Sequence, residues 1–242
     1  MNGKLSVSGL LDVHTHILPG MDDGSSSVEE SAAMLRCLKE QGVSAAALTP
    51  HFYPGRESPE EFLKRREAAF GLLASAVGSE PDMPEMLPGA EVEYFEGISR
   101  AEAIEQMCIG RSRILLVEMP FATWNRRMIA ELAALRDKRE ITPLLAHTER
   151  YLHHQHRGMV EELCEQGFLI QVNASFFVRN RTVLKALHML NRRRIHLVGS
   201  DCHNMESRPP NMGAAFERIR LMEDGAMHLK RMQAMVLERC CL

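Results

Sequence analysis

The sequence predicts an α/β barrel of parallel strands, and three observations predict it. Short apolar runs without helical period alternate with amphipathic segments along the whole chain. The runs are apolar on both faces, as strands covered by helices must be. There are seven of them, a number that favours a closed barrel over an open sheet.

The first run is LLDV at 10–13, followed by a Gly-Asp-Ser loop. Ser27 can cap the next helix, with Glu30 completing a capping box. That helix carries Met34, Leu35 and Leu38 on one face and stops at Gly42. VSAAALTPH at 43–51 reads as the second strand. Ser58, Pro59 and Glu61 then open a helix in the order N-cap, first-turn proline and N3 acid, running to about Val77. MLPGAEVEY at 86–94 supplies the third strand.

The alternation continues with a short helix near 100–107, a strand at 113–118, a helix near 125–138 and a strand at 142–147. Helix 157–166 ends at Gly167 before strand 168–173, and helix 181–191 precedes strand 195–200. Amphipathic segments 212–223 and 226–239 close the chain. No linker or low-complexity stretch divides it, so residues 1–242 are expected to form one domain.

Composition narrows the function classes. Charged residues make up 25% with a formal net charge of -3, which does not suggest an extended nucleic-acid surface. The longest apolar runs, AAAL at 45–48 and RILLVEMPF at 113–121, are too short to span a bilayer. The N-terminal MNGKLSVSGLLDV leads into histidines and aspartates rather than a small-residue cleavage site, so a cytoplasmic protein is expected. The 6 cysteines show no CxxC pairing or regular spacing and are expected as free thiols. Cys37 and Cys164 fall in helical patterns, and Cys240 and Cys241 are expected to be exposed.

In parallel α/β folds the active site gathers at the C-terminal ends of the strands. Strand one ends in His14 and His16, with Asp22 and Asp23 in the next loop. Strand two ends at His51, strand three at Glu91, strand four at Glu118 and strand five at His147. Strand seven ends at Asp201 and His203. His14 and His16 are two apart, so an extended chain points both side chains the same way.

Any one of these has a plain alternative as a packed histidine or a solvated loop acid, as Glu93 does. Their joint occurrence is what packing does not supply, because buried carboxylates and imidazoles need cations to neutralise them. Imidazole and carboxylate without thiolate suit manganese, iron or zinc, and the donors exceed what one ion needs, implying about two or three divalent ions. His188, His196 and His228 lack carboxylate companions in sequence, and His153, His154 and His156 read as solvated loop residues.

Two arginines follow metal-bearing strand ends: Arg150 in AHTER and Arg208 in HNMESRPP. Guanidinium forks match phosphate oxygens in bidentate geometry. Cys202 and Arg208 also fit a C-x5-R spacing, but the intervening HNMES is bulky and acidic rather than glycine-rich. In strand alternation Cys202 points opposite Asp201 and His203, so it is expected to pack rather than act as a nucleophile.

DVHTHILPGMDDGS, TPHFYP, GAEVEY, LLVEMPF, AHTERY, QVNASFF and GSDCHN with RPP resemble, in order, the polymerase and histidinol phosphatase (PHP) superfamily. More narrowly they resemble its bacterial manganese-dependent protein-tyrosine phosphatases, linked to capsule and exopolysaccharide synthesis. The resemblance runs from residue 10 to about 210. It implies a distorted (β/α)7 TIM-like barrel with His14, His16, Asp23, His51, Glu91, Glu118, His147, Asp201 and His203 as ligands of three metal ions. By the same resemblance Asp22 stands behind the ligands or in the loop, Arg150 binds phosphate, and Arg208 lies at the edge of the site.

The implied reaction is attack on phosphorus by a metal-bridging hydroxide, and the implied partner is the tyrosine-phosphorylated tail of a bacterial tyrosine kinase. The loop FYPGRES after His51 departs from the basic loop of some members. Two alternatives stay open: a small phosphoester substrate such as histidinol phosphate, and a degenerate module that binds phosphopeptide without hydrolysis.

Overall fold

A computed structural model describes residues 9–241; residues 1–8, on which part of the no-leader expectation rests, lie outside the described residues. The strands are β1 (Leu10–Thr15), β2 (Val43–Leu48), β3 (His51–Phe52), β4 (Glu85–Pro88), β5 (Glu91–Glu93), β6 (Ile114–Glu118), β7 (Thr142–Leu145), β8 (Leu169–Asn173) and β9 (Leu197–Gly199). The helices are α1 (Val28–Glu40), α2 (Pro59–Val77), α3 (Arg126–Arg139), α4 (Met159–Glu165), α5 (Ser175–Val178), α6 (Val183–Asn191), α7 (Met212–Ile219) and α8 (Glu223–Cys240). Among the described residues none of the helices is long and apolar enough to cross a membrane.

Every strand pair is parallel, in the orders β1-β2-β4 and β3-β5-β6-β7-β8-β9. The two sheets are one curled wall with a crease. Strand two, expected as one piece over 43–51, breaks at Thr49-Pro50, because Pro50 has no N–H to continue the ladder. Strand three breaks at the same level, at Gly89-Ala90. Gly89 N–H donates to Leu48 O (2.9 Å) and Glu91 N–H to Pro50 O (3.0 Å) across the crease. The wall meets itself where β9 returns beside β1: Asp201 N–H donates to His14 O (2.8 Å) and His16 N–H to Cys202 O (2.9 Å).

Inside the barrel, Leu11, Val13, Ala45, Ala47, Leu116, Leu144 and Leu197 pack together, with Val236 and Leu237 of α8 against them. Glu118 follows Ile114 and Leu116 at the two-residue strand period, and Asp201 follows Leu197 and Gly199. The same inward face is thus apolar low in the barrel and polar at its mouth. On β1 a register irregularity between Asp12 and Thr15 lets His14 join this face.

Three local expectations are corrected. The helix expected near 100–107 is two 3-10 turns, Ile98–Arg100 and Ile104–Met107. Ser27 caps α1 by accepting from Glu30 N–H (3.2 Å), but the Glu30 carboxylate reaches Ser26 N–H (2.9 Å) instead of closing a capping box. Around α2 the box is complete between Ser58 and Glu61. Cys240, expected to be exposed, is half-buried with its Sγ 3.6 Å from Ile109 O, whereas Cys241 is exposed.

Candidate metal centre

The mouth of the barrel brings all nine expected ligands together. His14 and His16 face one another with their Nε2 atoms 3.1 Å apart, the same-side placement expected of an extended HxH. Glu91, at the start of β5, is the hub. Its Oε2 lies 3.0 Å from His14 Nε2, 3.2 Å from His16 Nε2 and 3.2 Å from His51 Nδ1. Its Oε1 lies 2.8 Å from His147 Nε2.

Glu118 Oε1 stands 3.4 Å from His147 Nε2, and Asp201 Oδ1 stands 3.5 Å from His16 Nε2 and 3.6 Å from His203 Nδ1. Asp23 Oδ1 reaches His203 Nε2 at 3.5 Å from the solvent side. Donor atoms fall within 4.8 Å of one another in three groups: His14, His16 and Asp201; His51, Glu91 and Glu118; and His16, Asp23, His51 and His203.

These residues suit a divalent cation. His51 Nδ1 and His203 Nε2 are buried without a hydrogen-bond partner, which is costly for a polar atom, and what they face are carboxylate oxygens, Glu91 Oε2 at 3.2 Å and Asp23 Oδ1 at 3.5 Å. Burial pushes His203 down to about 4 and also lowers His51, so both are neutral imidazoles with lone pairs to donate. Burial also disfavours charge on His16, but the Asp22 and Glu91 carboxylates outweigh it and push this imidazole up to about 10. Such carboxylate fields are what a bound cation would answer.

Asp22 and Asp23, indistinguishable in kind by sequence, do different things. The Asp22 carboxylate is buried and accepts from His16 Nδ1–H (2.7 Å), His51 N–H (2.8 Å) and Gly24 N–H (2.9 Å). It holds the proton on His16 Nδ1, so that Nε2 is the nitrogen left for a cation in the cluster. Gly24 allows this loop to close: a Cβ there would fall 2.2 Å from His16 O and 2.5 Å from His16 Cβ. Gly24→Ala is therefore expected to displace His16 and weaken divalent-cation binding on the order of 10-fold or more, read with Mn(II) as the probe from the EPR signal of the free ion. Unchanged affinity would remove the claim that Gly24 sets the position of His16.

His147 and Asp201 adopt φ of 29° and 55°, in the left-handed region that costs energy for residues other than glycine. This backbone turns both side chains over the mouth. Arg150, in the 3-10 turn Thr148–Arg150, donates from Nη2 to Asp201 Oδ2, and Arg208 Nη2 lies 2.7 Å from Asp201 Oδ1. Asn204 Oδ1 gathers the N–H groups of Glu206 (3.0 Å), Ser207 (2.8 Å) and Arg208 (3.1 Å), folding the HNMESR loop tightly. Cys202 is fully buried beneath it, and burial pushes its thiol well up. Such a thiol is no nucleophile.

The other histidines stay apart from the centre. His196 and His228 pack edge to face at 5.8 Å, and His188 is exposed on α6. The FYPGRES loop leaves a cavity of about 480 Å³ beside the cluster, lined by Met21, Asp22, Asp23, His51, Tyr53 and Arg56 among others. Tyr53 stacks on His51 at 4.9 Å, and the Arg56 guanidinium sits 4.3 Å over the Tyr53 ring.

The chain is similar over most of its length to known proteins. The chain is 33% identical over 226 residues to tyrosine-protein phosphatase CpsB of Streptococcus pneumoniae, covering 87% of this chain and 89% of that protein. It is 31% identical over 208 residues to tyrosine-protein phosphatase YwqE of Bacillus subtilis, covering 82% and 79%. A crystal structure from work on YwqE and CpsB, described there as metal-dependent tyrosine phosphatases, shares the fold with a TM-score of 0.81 at 24% identity, covering 95% of this chain and 93% of that one. The model of the family "Capsular polysaccharide synthesis, CpsB/CapC" matches residues 10–235, and the chain belongs to that family.

Proposed function

We propose that this chain is a metal-dependent tyrosine-protein phosphatase, acting in capsular polysaccharide synthesis. The observation that carries it is the Glu91 hub, one carboxylate within 2.8–3.2 Å of four imidazole nitrogens, with two arginines at its edge. The names of the relatives, tyrosine-protein phosphatases at 33% and 31% identity, support the same reading.

His14, His16, Asp23, His51, Glu91, Glu118, His147, Asp201 and His203 would hold two or three ions, with manganese preferred over iron or zinc. When bound, the ions supply Lewis acidity toward the phosphoryl group and lower the pKa of a water. Arg150 and Arg208 bind the phosphoryl oxygens, exchanging the Asp201 carboxylate for phosphate as hydrogen-bond acceptor. A tyrosinate leaving group, with a conjugate acid near ~10, departs with little need of protonation. Phe121, three residues beyond Glu118 and 57% exposed, packs on Tyr151 at 4.8 Å and offers an apolar surface to an aromatic substrate. The partner in this reading is the phosphotyrosine tail of a bacterial tyrosine kinase, met in the cytoplasm.

The test is hydrolysis of a phosphotyrosine peptide by purified protein. Chelation is expected to abolish it and Mn(II) to restore it, while Cys202→Ser keeps activity close to that of the parent protein. Faster turnover of histidinol phosphate than of the peptide would sink the tyrosine assignment. Activity that survives chelation but not Cys202→Ser would sink the metal reading.

A further inference from the structure

β8 reaches the mouth of the barrel without an imidazole or carboxylate at its C-terminal end. Above Leu169 its inward side chains are two amides, Gln171 and Asn173, both buried. A buried amide left without partners is destabilising, so where these bonds go matters. They go to the centre. Gln171 Oε1 accepts the His147 N–H and lies 3.4 Å from His14 Nδ1. Gln171 Nε2 donates to Asn173 Oδ1 (3.1 Å), and Asn173 Nδ2 donates to Asp201 Oδ2 (2.7 Å).

The direction of this run is fixed at both ends. An ionised carboxylate only accepts, so Asn173 must present its NH₂ to Asp201 and its oxygen to Gln171. Gln171 must then donate from Nε2, which turns Oε1 toward His14 and His147. A backbone N–H only donates, so the His147 end requires the same orientation. His14 must therefore carry a proton on Nδ1, so that Nε2, which faces His16 Nε2 and Glu91, is the nitrogen left for a cation to take. Gly199 of β9 leaves room for this contact, since a Cβ there would fall 2.5 Å from His14 Cβ and 3.1 Å from Gln171 Nε2.

We infer that Gln171 and Asn173 are positioning residues of the centre, an amide relay that sets the His14 tautomer and the orientation of Asp201 and thereby the metal affinity. The relay touches candidate ligands on β1, β7 and β9 while ligating nothing itself. The inference rests on the metal reading proposed above, and its test separates the two.

Gln171→Met keeps the volume and removes both hydrogen-bonding ends. Mn(II) titration followed by EPR is expected to show binding ~10–100-fold weaker than in the parent protein. Long-range ¹⁵N–¹H spectra should show a proton held on His14 Nδ1 in the parent and its loss in Gln171→Met. Gln171→Glu retains the oxygen that accepts from His14 but loses the donor to Asn173, so it is expected to keep the proton on His14 Nδ1 while losing part of the affinity. Loss of that Nδ1 proton in Gln171→Glu would show the acceptor role to be wrong. Equal affinity and an unchanged tautomer in folded Gln171→Met overturn the inference, leaving a packing role.

Should Gln171→Met fail to fold, Asn173→Ala decides the matter, tenfold weaker binding supporting the relay and unchanged binding ending it. A parent protein that binds no manganese refutes the metal reading, while the His14 tautomer still tests the relay.

Discussion

Glu91→Gln is expected to lose on the order of 1,000-fold in kcat/KM toward a phosphotyrosine peptide and to bind manganese far more weakly, with the fold intact. The glutamine keeps the shape of the side chain but replaces one negative oxygen by an NH₂ that donates. It would then aim hydrogens at imidazole nitrogens that stand 2.8–3.2 Å away, where lone pairs must converge on cations. Metal assistance supplies several kcal/mol of transition-state stabilisation, and about 1.4 kcal/mol is tenfold in rate, which sets the magnitude. Steady-state kinetics beside elemental analysis would check it. A variant with full metal content and activity within tenfold of the parent would show that Glu91 is not the hub.

Arg150→Lys is expected to lower kcat/KM by about 100- to 1,000-fold while leaving metal content unchanged, the loss typical of one missing oxyanion donor. Lysine keeps the charge but not the planar fork that matches two phosphoryl oxygens, so the conservative change should rescue little. Arg208→Lys should shift the same quantity in the same direction. If Arg150→Lys instead depleted the metal, Arg150 would be holding Asp201 rather than phosphate, a role its contact with Asp201 Oδ2 would also permit.

Much of this architecture was legible because two periodicities act at once. Apolar runs alternating with amphipathic ones define strands and helices, and the residue that closes each run is placed at the barrel mouth by topology alone. His14, His51, Glu91, Glu118, His147 and Asp201 could therefore be picked out one strand at a time. What stayed hidden was set by geometry between strands. The crease at Pro50 and Gly89 depends on two strands breaking at the same level, although proline marked one break in sequence.

Asp22 and Asp23 share a residue type and a loop, and in sequence only the family resemblance told them apart; the fold turns one onto His16 Nδ1 and the other toward solvent. Gln171 and Asn173 stood inside the QVNASFF stretch, but neutral amides are ordinary in a strand and nothing marked them as contacts of the centre. Their two-residue spacing at a strand end was the one available signal.

The line where β9 lies against β1 has a consequence for how the protein assembles. The Asp12 carboxylate accepts from Ser200 N–H at 2.8 Å across a separation of 188 residues, so this joint closes only when nearly the whole chain is in place. His14 and His16 stand on one side of it, Asp201 and His203 on the other. A growing chain, or one cut before β9, thus lacks Asp201 and His203. The centre comes into being as the barrel shuts, which makes it a chemical marker of completed folding.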